Sequence, residues 1–83
     1  MVAYLYILFS AKLDKFYIGS TTDLNRRIAE HNRGKEKFTK TGGFWELKYH
    51  EEFTQLIDAR RRELIIKKQK SRKFIERLIS SVG

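Results

Sequence analysis

The sequence contains no cysteine and no proline among its 83 residues. Without cysteine the chain has no disulfide, no thiolate zinc site and no thiol nucleophile, which fits a reducing compartment. The longest apolar run, residues 2–9, is far shorter than the roughly 20 residues that a membrane-spanning helix needs. This run also lacks the flanking segments of a signal peptide. These absences predict a cytoplasmic protein with no membrane partner.

The chain is strongly basic for its length. It carries 18 Lys and Arg against 10 Asp and Glu, a net charge of +8. Such an excess attracts polyanions and speeds their encounter with the protein. We therefore expect a single domain over residues 1–83 that binds the phosphate backbone of a nucleic acid. A solvated surface and an acidic membrane surface are the two alternatives that charge alone leaves open.

The basic residues are clustered, which favours nucleic acid over a role in solubility. Nine of them lie between Arg60 and Arg77, among only two acids, Glu63 and Glu76. A second cluster lies in a predicted loop over residues 33–43, which contains three of the five glycines. The residues that we expect to contact nucleic acid are Arg33, Lys35, Lys37, Lys40, Arg60, Lys67 and Lys70.

Three segments have the patterns of β-strands. Residues 4–9 are apolar on both alternating faces, which is typical of a central strand covered on both sides. Residues 10–14 form a turn, and residues 15–19 form the second strand of a hairpin. A third strand shows period-two alternation that predicts one shared inward face for Trp45, Leu47 and Tyr49.

The first predicted helix follows the hairpin. Thr21 or Thr22 is its expected N-cap, Asp23 lies in its first turn, and the helix ends near Asn32 with Gly34 as its C-terminal stop. Its apolar stripe faces the sheet.

Two more helices complete the chain. Thr54 is the expected cap of a helix that runs to about Lys70, and Ser71 caps a last helix with a strong apolar face. The order ββαβαα predicts an α+β fold, in which a small three-stranded antiparallel sheet is flanked by three helices.

Four polar side chains could share one site on the first helix and the hairpin. Pairing of the first two strands would bring the phenols of Tyr6 and Tyr17 together on one face, although strand tyrosines are often purely structural. Arg27 and His31 are four residues apart, at the edge of the buried helical face. Arg27 is therefore either a phosphate ligand or an amphipathic stem that covers the core.

Glu63 lies on the helical face that should meet the sheet, together with Leu56, Ala59 and Ile66. A carboxylate directed toward a core is costly unless it is paired or binds a metal. An ion pair with Lys67, one turn later, is one explanation. The other is a Mg²⁺ ion held with water and a substrate phosphate, since magnesium needs few protein ligands.

Taken together, these residues resemble the GIY-YIG nuclease superfamily and its short stand-alone members. The resemblance covers about residues 3–80. It is carried by Tyr4-Leu5-Tyr6, by Tyr17-Ile18-Gly19 eleven residues later, and by an arginine ten residues beyond that tyrosine. A glutamate on a later helix completes it. Its most specific stretches are residues 16–32 and 59–67.

The resemblance implies a GIY-YIG-like fold and a hydrolase that cleaves DNA with Mg²⁺ or Mn²⁺. It implies that Tyr6 and Tyr17 are the two motif tyrosines, one of which activates or positions water, and that Arg27 binds the scissile phosphate. It further implies that His31 carries a proton and that Glu63 binds the metal. Gly19 corresponds to the motif glycine, where we expect backbone and substrate to approach closely.

The sequence departs from the family pattern in its first motif, where Tyr4 replaces a glycine, as in many short members. It also shows no counterpart of an asparagine that some relatives carry. No further DNA-binding domain is recognisable, so the basic surface, a homodimer or a protein partner would supply targeting.

Three functions follow from these observations. The leading one is an endonuclease, structure-specific in repair or recombination. The alternative is a non-catalytic module that binds nucleic acid through the same basic surface, with RNA as well as DNA allowed. A ribosome-associated or protein-binding module rests on charge alone.

Overall fold

The computed structural model describes residues 2–34 and 42–81. Three residues predicted to contact nucleic acid, Lys35, Lys37 and Lys40, lie outside these ranges. Within them, no helix combines the length and the apolar character needed to cross a membrane.

Three strands form one antiparallel sheet in the order β2-β1-β3. The elements along the chain are β1 (Ala3–Ser10), β2 (Lys15–Thr21), α1 (Leu24–Asn32), β3 (Trp45–Phe53), α2 (Leu56–Gln69) and α3 (Arg72–Ser80). The predicted α+β architecture and the order ββαβαα are confirmed.

Strand β1 is the centre of the molecule because its side chains are apolar on both faces. Leu5 and Ile7 are buried on the face that α2 and α3 cover, while Tyr6 and Leu8 are buried on the opposite face, beneath α1. Burial on both faces stabilises the strand through the apolar area removed from water. The strand order leaves β2 and β3 as the two sheet edges.

The prediction that Trp45, Leu47 and Tyr49 share one inward face is wrong for Tyr49. Leu47 pairs with Leu8, but the register shifts and Tyr49 pairs with Ile7. The irregularity adds one residue to β3, as a β-bulge does, and moves the rest of the strand to the other face. Trp45 and Leu47 therefore pack beneath α1, whereas Tyr49 packs toward α2 and α3.

The helix caps differ from the predicted ones at two positions. The N-cap of α1 is Asp23, whose carboxylate accepts a first-turn backbone N–H, because Thr21 still belongs to β2. The N-cap of α2 is Gln55 and not Thr54, and it makes no side-chain capping bond. Ser71 caps α3 as predicted. Gly34 ends α1 with a positive φ of 75° and donates to the His31 carbonyl, also as predicted.

An ion pair fixes α2 against β3. Arg62 donates to both carboxylate oxygens of Glu51, with Nε–Oε1 at 3.0 Å and Nη2–Oε2 at 3.1 Å. Tyr49 donates its phenol to the same carboxylate. Both charged side chains are half-buried, and bidentate pairing of this kind is stronger than a neutral hydrogen bond. The contact sets the position of α2 one residue before Glu63.

We expect Arg62→Ala to lower the free energy of unfolding by about 1–2 kcal/mol, because it leaves the half-buried Glu51 carboxylate without its cation. Urea denaturation measures this loss. Arg61→Ala is the matched control, since its pair with Asp58 is 3.9 Å long and exposed, and it should change stability by less than about 0.5 kcal/mol. Equal losses in the two variants would show that the Glu51 contact does not hold α2.

Candidate active site

The two motif tyrosines lie on one face of the hairpin. Tyr6 pairs with Gly19 across β1 and β2, and Tyr17 pairs with Leu8 two residues along. Their rings stack with centroids 6.3 Å apart and planes 29° apart. Tyr6 is buried, and Tyr17 is half-buried on the edge strand. The hairpin register therefore brings the phenols together as predicted.

The packing of the Tyr6 ring requires glycine at position 19. A Cβ atom at Gly19 would lie 2.5 Å from the Tyr6 phenol oxygen and 2.6 Å from Cζ. These separations are far below van der Waals contact. The group that approaches Gly19 in the structure is the phenol of the neighbouring strand, and the close approach of a substrate to Gly19 stays a prediction.

His31 is fully buried beside both tyrosines. Its Nε2 atom is 2.9 Å from the Tyr6 phenol oxygen, and its ring centroid is 4.6 Å from that of Tyr17. Helical spacing placed His31 only at the edge of the buried face. The difference arises from Asn32, whose side-chain amide bonds the backbone of Trp45 at 2.6 and 3.1 Å and draws the end of α1 onto β3.

Arg27 lies inward and its neighbour Arg26 lies outward, as predicted. Their side chains are 29% and 75% exposed, and both pair with Glu30. Arg27 lines an open groove of about 310 Å³ together with Ser20 and Arg60. It is thus near enough to the surface to meet a phosphate and near enough to the core to act on Tyr6.

Burial raises the pKa of Tyr6 from its ordinary value of 10.0 to about 12. Desolvation is the main cause, and the nearby Tyr17 and Glu63 raise the pKa further. Arg27 acts in the opposite direction through a hydrogen bond and its charge, but does not offset the burial. Tyr6 is consequently a neutral phenol at physiological pH, which makes it a poor base.

Glu63 lies across the β2 edge from the phenols. Ser20 donates its hydroxyl to Oε1 at 2.7 Å, and Lys67 donates to Oε2 at 2.6 Å. The Glu63 side chain is 19% exposed. The structure therefore shows the ion pair with Lys67 that the sequence allowed, and it adds a second partner that the sequence reading missed.

Ser20 could have been found from strand alternation. Side chains of β2 alternate between the two faces of the sheet, so the residue after Gly19 points away from Tyr6 and toward α2. Glu63 was already predicted to face the sheet from that side. A hydroxyl that meets a carboxylate there joins the two halves of the candidate site.

The oxygen donors at this edge fit Mg²⁺ or Mn²⁺ shared with a substrate. Glu63 and Ser20 offer hard oxygen ligands, and magnesium is usually held by one or two carboxylates, waters and phosphates. Among residues 2–34 and 42–81, no group of three or more His, Asp or Glu could hold a metal. A closed protein cage is thus not built there, and a cation would have to replace Lys67 on Glu63.

The other predicted contact residues fall at different places. Arg60 joins Arg27 in the groove at the start of α1, while Lys67 and Lys70 line the surface along β2. Arg33 is exposed at the opposite end of α1. Arg60, Lys67 and Lys70 thus line cavities beside β2, and Arg33 lies apart from them.

Comparison with known proteins agrees with this fold. The GIY-YIG catalytic domain matches residues 2–76. The chain belongs to the GIY-YIG family, a family of the nuclease type with nucleic acid as its general class of substrate.

Within this family the chain is similar to the small UPF0213 proteins. One from Staphylococcus haemolyticus is 43% identical over 77 residues, which cover 88% of this chain and 93% of that protein. One from Streptococcus pneumoniae is 38% identical over 69 residues, covering 82% and 69%. The solution NMR structure of the UPF0213 protein from Bacillus halodurans has a TM-score of 0.61 and 38% identity, and covers 100% of this chain and 87% of that one.

We expect Gly19→Ala to destabilise the protein by about 1–3 kcal/mol, because a well-packed site must move to admit the methyl group. Thermal unfolding measures the loss. In a Tyr6→Leu background the same change should cost much less, since the ring that it meets is gone. An undiminished loss in that background would contradict the role of Tyr6 in selecting glycine.

The raised pKa of Tyr6 predicts a loss of stability at alkaline pH. The unfolded chain releases the phenol proton near pH 10 and the folded one near pH 12, so the folded state binds more protons between these values. The stabilising contribution is complete below pH 10 and is lost as pH rises toward 12. Tyr6→Phe lacks this proton. The melting temperature of the wild type should therefore fall relative to that of Tyr6→Phe over this range. A constant difference between the two proteins would refute the raised pKa.

Proposed function

We propose that the protein is an endonuclease that hydrolyses DNA phosphodiester bonds with Mg²⁺ or Mn²⁺. One observation supports this most directly. Arg27 and Glu63, a phosphate-binding cation and a carboxylate, stand on the two sides of the β2 edge next to a pair of phenols. A cation, an anion and two hydroxyl groups around one exposed edge are the parts that phosphoryl transfer requires.

Arg27 binds the scissile phosphate in this proposal. Its guanidinium is always charged and offers a planar set of donors that matches phosphate oxygens. The groove that it shares with Ser20 and Arg60 is open to solvent at the start of α1. Its ion pair with Glu30 is 3.4 Å long, and a phosphate can compete with so long a contact.

Tyr17 is the phenol that we assign to the attacking water. It lines an open cavity with Lys67, whereas Tyr6 is buried and keeps its proton. Tyr6 in turn holds His31 through the bond between the phenol and Nε2. Because His31 is fully buried, it acts on the substrate through the tyrosines. Both are positioning residues for Tyr17.

Glu63 would hold the metal, oriented by the Ser20 hydroxyl. A bound divalent cation supplies charge stabilisation to the phosphate oxygens and to the departing alkoxide. Ser20 fixes one carboxylate oxygen, so the other, now paired with Lys67, would be the one to hold the cation. The displaced ammonium remains beside the site, where a DNA phosphate can take the place of the carboxylate.

A non-catalytic nucleic-acid-binding module is the second candidate, and the Lys67–Glu63 contact favours it. At 2.6 Å the ammonium already neutralises the carboxylate. In such a protein Glu63 would be a structural partner and the basic surface alone would bind nucleic acid.

Glu63→Gln separates the two functions. The amide keeps the side-chain length and still accepts from Ser20, but it lacks the charge that a metal needs. We expect cleavage to fall by more than about a hundredfold, because metal coordination is worth several kcal/mol in the transition state. DNA binding should be retained. Cleavage is measured on linear duplex, flap, bubble, four-way junction and structured RNA, each with Mg²⁺, Mn²⁺ or EDTA.

Glu52→Gln is the matched control, since it removes an equal charge from an exposed position on β3. It should cleave at the wild-type rate. If Glu63→Gln cleaves as fast as the control, the metal role of Glu63 is wrong. If the wild-type protein binds the panel and cuts none of it, the binding module becomes the better description.

A further inference from the structure

A groove with an apolar floor runs along β2 toward the junction of α2 and α3. Two adjoining cavities of about 360 and 410 Å³ form it, and both are lined by Phe16, Ile18 and Lys67. Phe16, Ile18, Ile66 and Ile75 supply the floor. The volumes are in the range of roughly 300–1,000 Å³ that accommodates small organic groups. We call this feature the β2 groove.

The rim of the β2 groove is cationic. Lys15, Lys67, Lys70 and Arg72 line it, together with one acid, Asp14. Asp14 accepts from Arg72 Nη2 at 2.7 Å, and the guanidinium holds the pKa of that carboxyl below its usual value. Lys67 is paired with Glu63, and Arg72 with Asp14 and Glu76, so Lys15 and Lys70 are the rim cations that make the groove complementary to an anion.

The β2 groove is continuous with the candidate active site. One of its cavities is lined by Tyr17, the phenol assigned to the attacking water. Lys67, which lines both cavities, is the ion-pair partner of Glu63. A chain that occupies the groove would therefore lead directly to the point where the phosphodiester would be cut.

An aromatic surface lies within the groove. The Phe16 ring packs on Phe9 with centroids 4.9 Å apart, and the Arg72 guanidinium lies 5.3 Å from the Phe16 centroid. Aromatic rings and arginine planes are the groups on which unpaired bases stack. A duplex keeps its base faces stacked inside and offers a protein its phosphates and groove edges. It would therefore match the rim and leave the apolar floor empty.

We propose that the β2 groove binds an unpaired DNA strand next to the scissile phosphate, which makes flapped, tailed or branched DNA the substrate class. The rim contacts the phosphates, and the floor receives the bases. This inference rests on the proposed function for its link to cleavage, but the binding itself can be tested without any cleavage.

The test compares binding of a blunt duplex and of the same duplex with a single-stranded tail, in EDTA, by fluorescence anisotropy. Lys15→Ala/Lys70→Ala removes two rim cations. Lys68→Ala/Lys73→Ala removes the same charge from exposed positions that do not line the groove. We expect the rim variant to lose about tenfold or more in affinity for the tailed duplex relative to the control variant. Both variants should lose the same affinity for the blunt duplex.

The floor is tested with aminopurine, a fluorescent base, placed in the tail. Stacking should quench it on the wild-type protein and on Phe16→Tyr, which keeps the ring. Phe16→Leu should abolish the quenching while both variants retain the wild-type circular dichroism spectrum. If Phe16→Leu is unfolded, the Lys15→Ala/Lys70→Ala comparison decides alone, because its substitutions are on exposed side chains.

Three results would overturn the proposal. One is equal wild-type affinity for blunt and tailed duplexes, and another is an equal loss in the rim and control variants. The third is displacement of the tail by an acidic peptide of the same charge at the same concentration, which would assign the groove to a protein partner. Binding of the tail in the groove without cleavage of any substrate would support this inference. That result would count only against the proposed nuclease activity.

Discussion

The contact between Tyr6 and Gly19 is the constraint on which the candidate site depends. The Tyr6 phenol occupies the space where a side chain at Gly19 would lie, and it bonds Nε2 of the buried His31. Since β1 is buried on both faces, this ring has no alternative place to lie. The motif glycine, the first motif tyrosine and the histidine are thus one packing unit. Tyr17 stacks on that unit, and its position at the sheet edge follows from it.

The second half of the site depends on β2 being an edge strand. Successive residues of β2 point to opposite faces of the sheet, so Gly19 packs against the Tyr6 phenol while Ser20 donates its hydroxyl to Glu63. If β2 were a central strand, a further strand would lie beside it and separate the tyrosines from Glu63. Here the Glu63 charge adds a small contribution to the raised pKa of Tyr6, well below that of burial. A phosphate bound by Arg27 would meet both.

The sequence predicted the elements and their order because each has a strong local signal. The apolar run of β1, the hairpin spacing and the apolar face of α3 are of this kind. It also predicted which tyrosines meet, since a hairpin register follows from its turn. The shifted face of Tyr49 and the burial of His31 depend on long-range contacts. A bulge and an amide that bonds a distant strand have no periodic signature, so pattern reasoning could not find them.

Stability and chemistry overlap in this protein more than in a large one. A chain of 83 residues buries only about 60–65% of the surface of its unfolded form, so each core residue matters. Tyr6 and His31 are both core and site, and a change at either alters packing together with any proton it moves. Arg27, Glu63 and Lys67 contribute less to the core, because they lie at its rim. Substitutions of Arg27, Glu63 and Lys67 should therefore report on function most directly. Substitutions of Tyr6 or His31 should be interpreted only together with a measured change in folding.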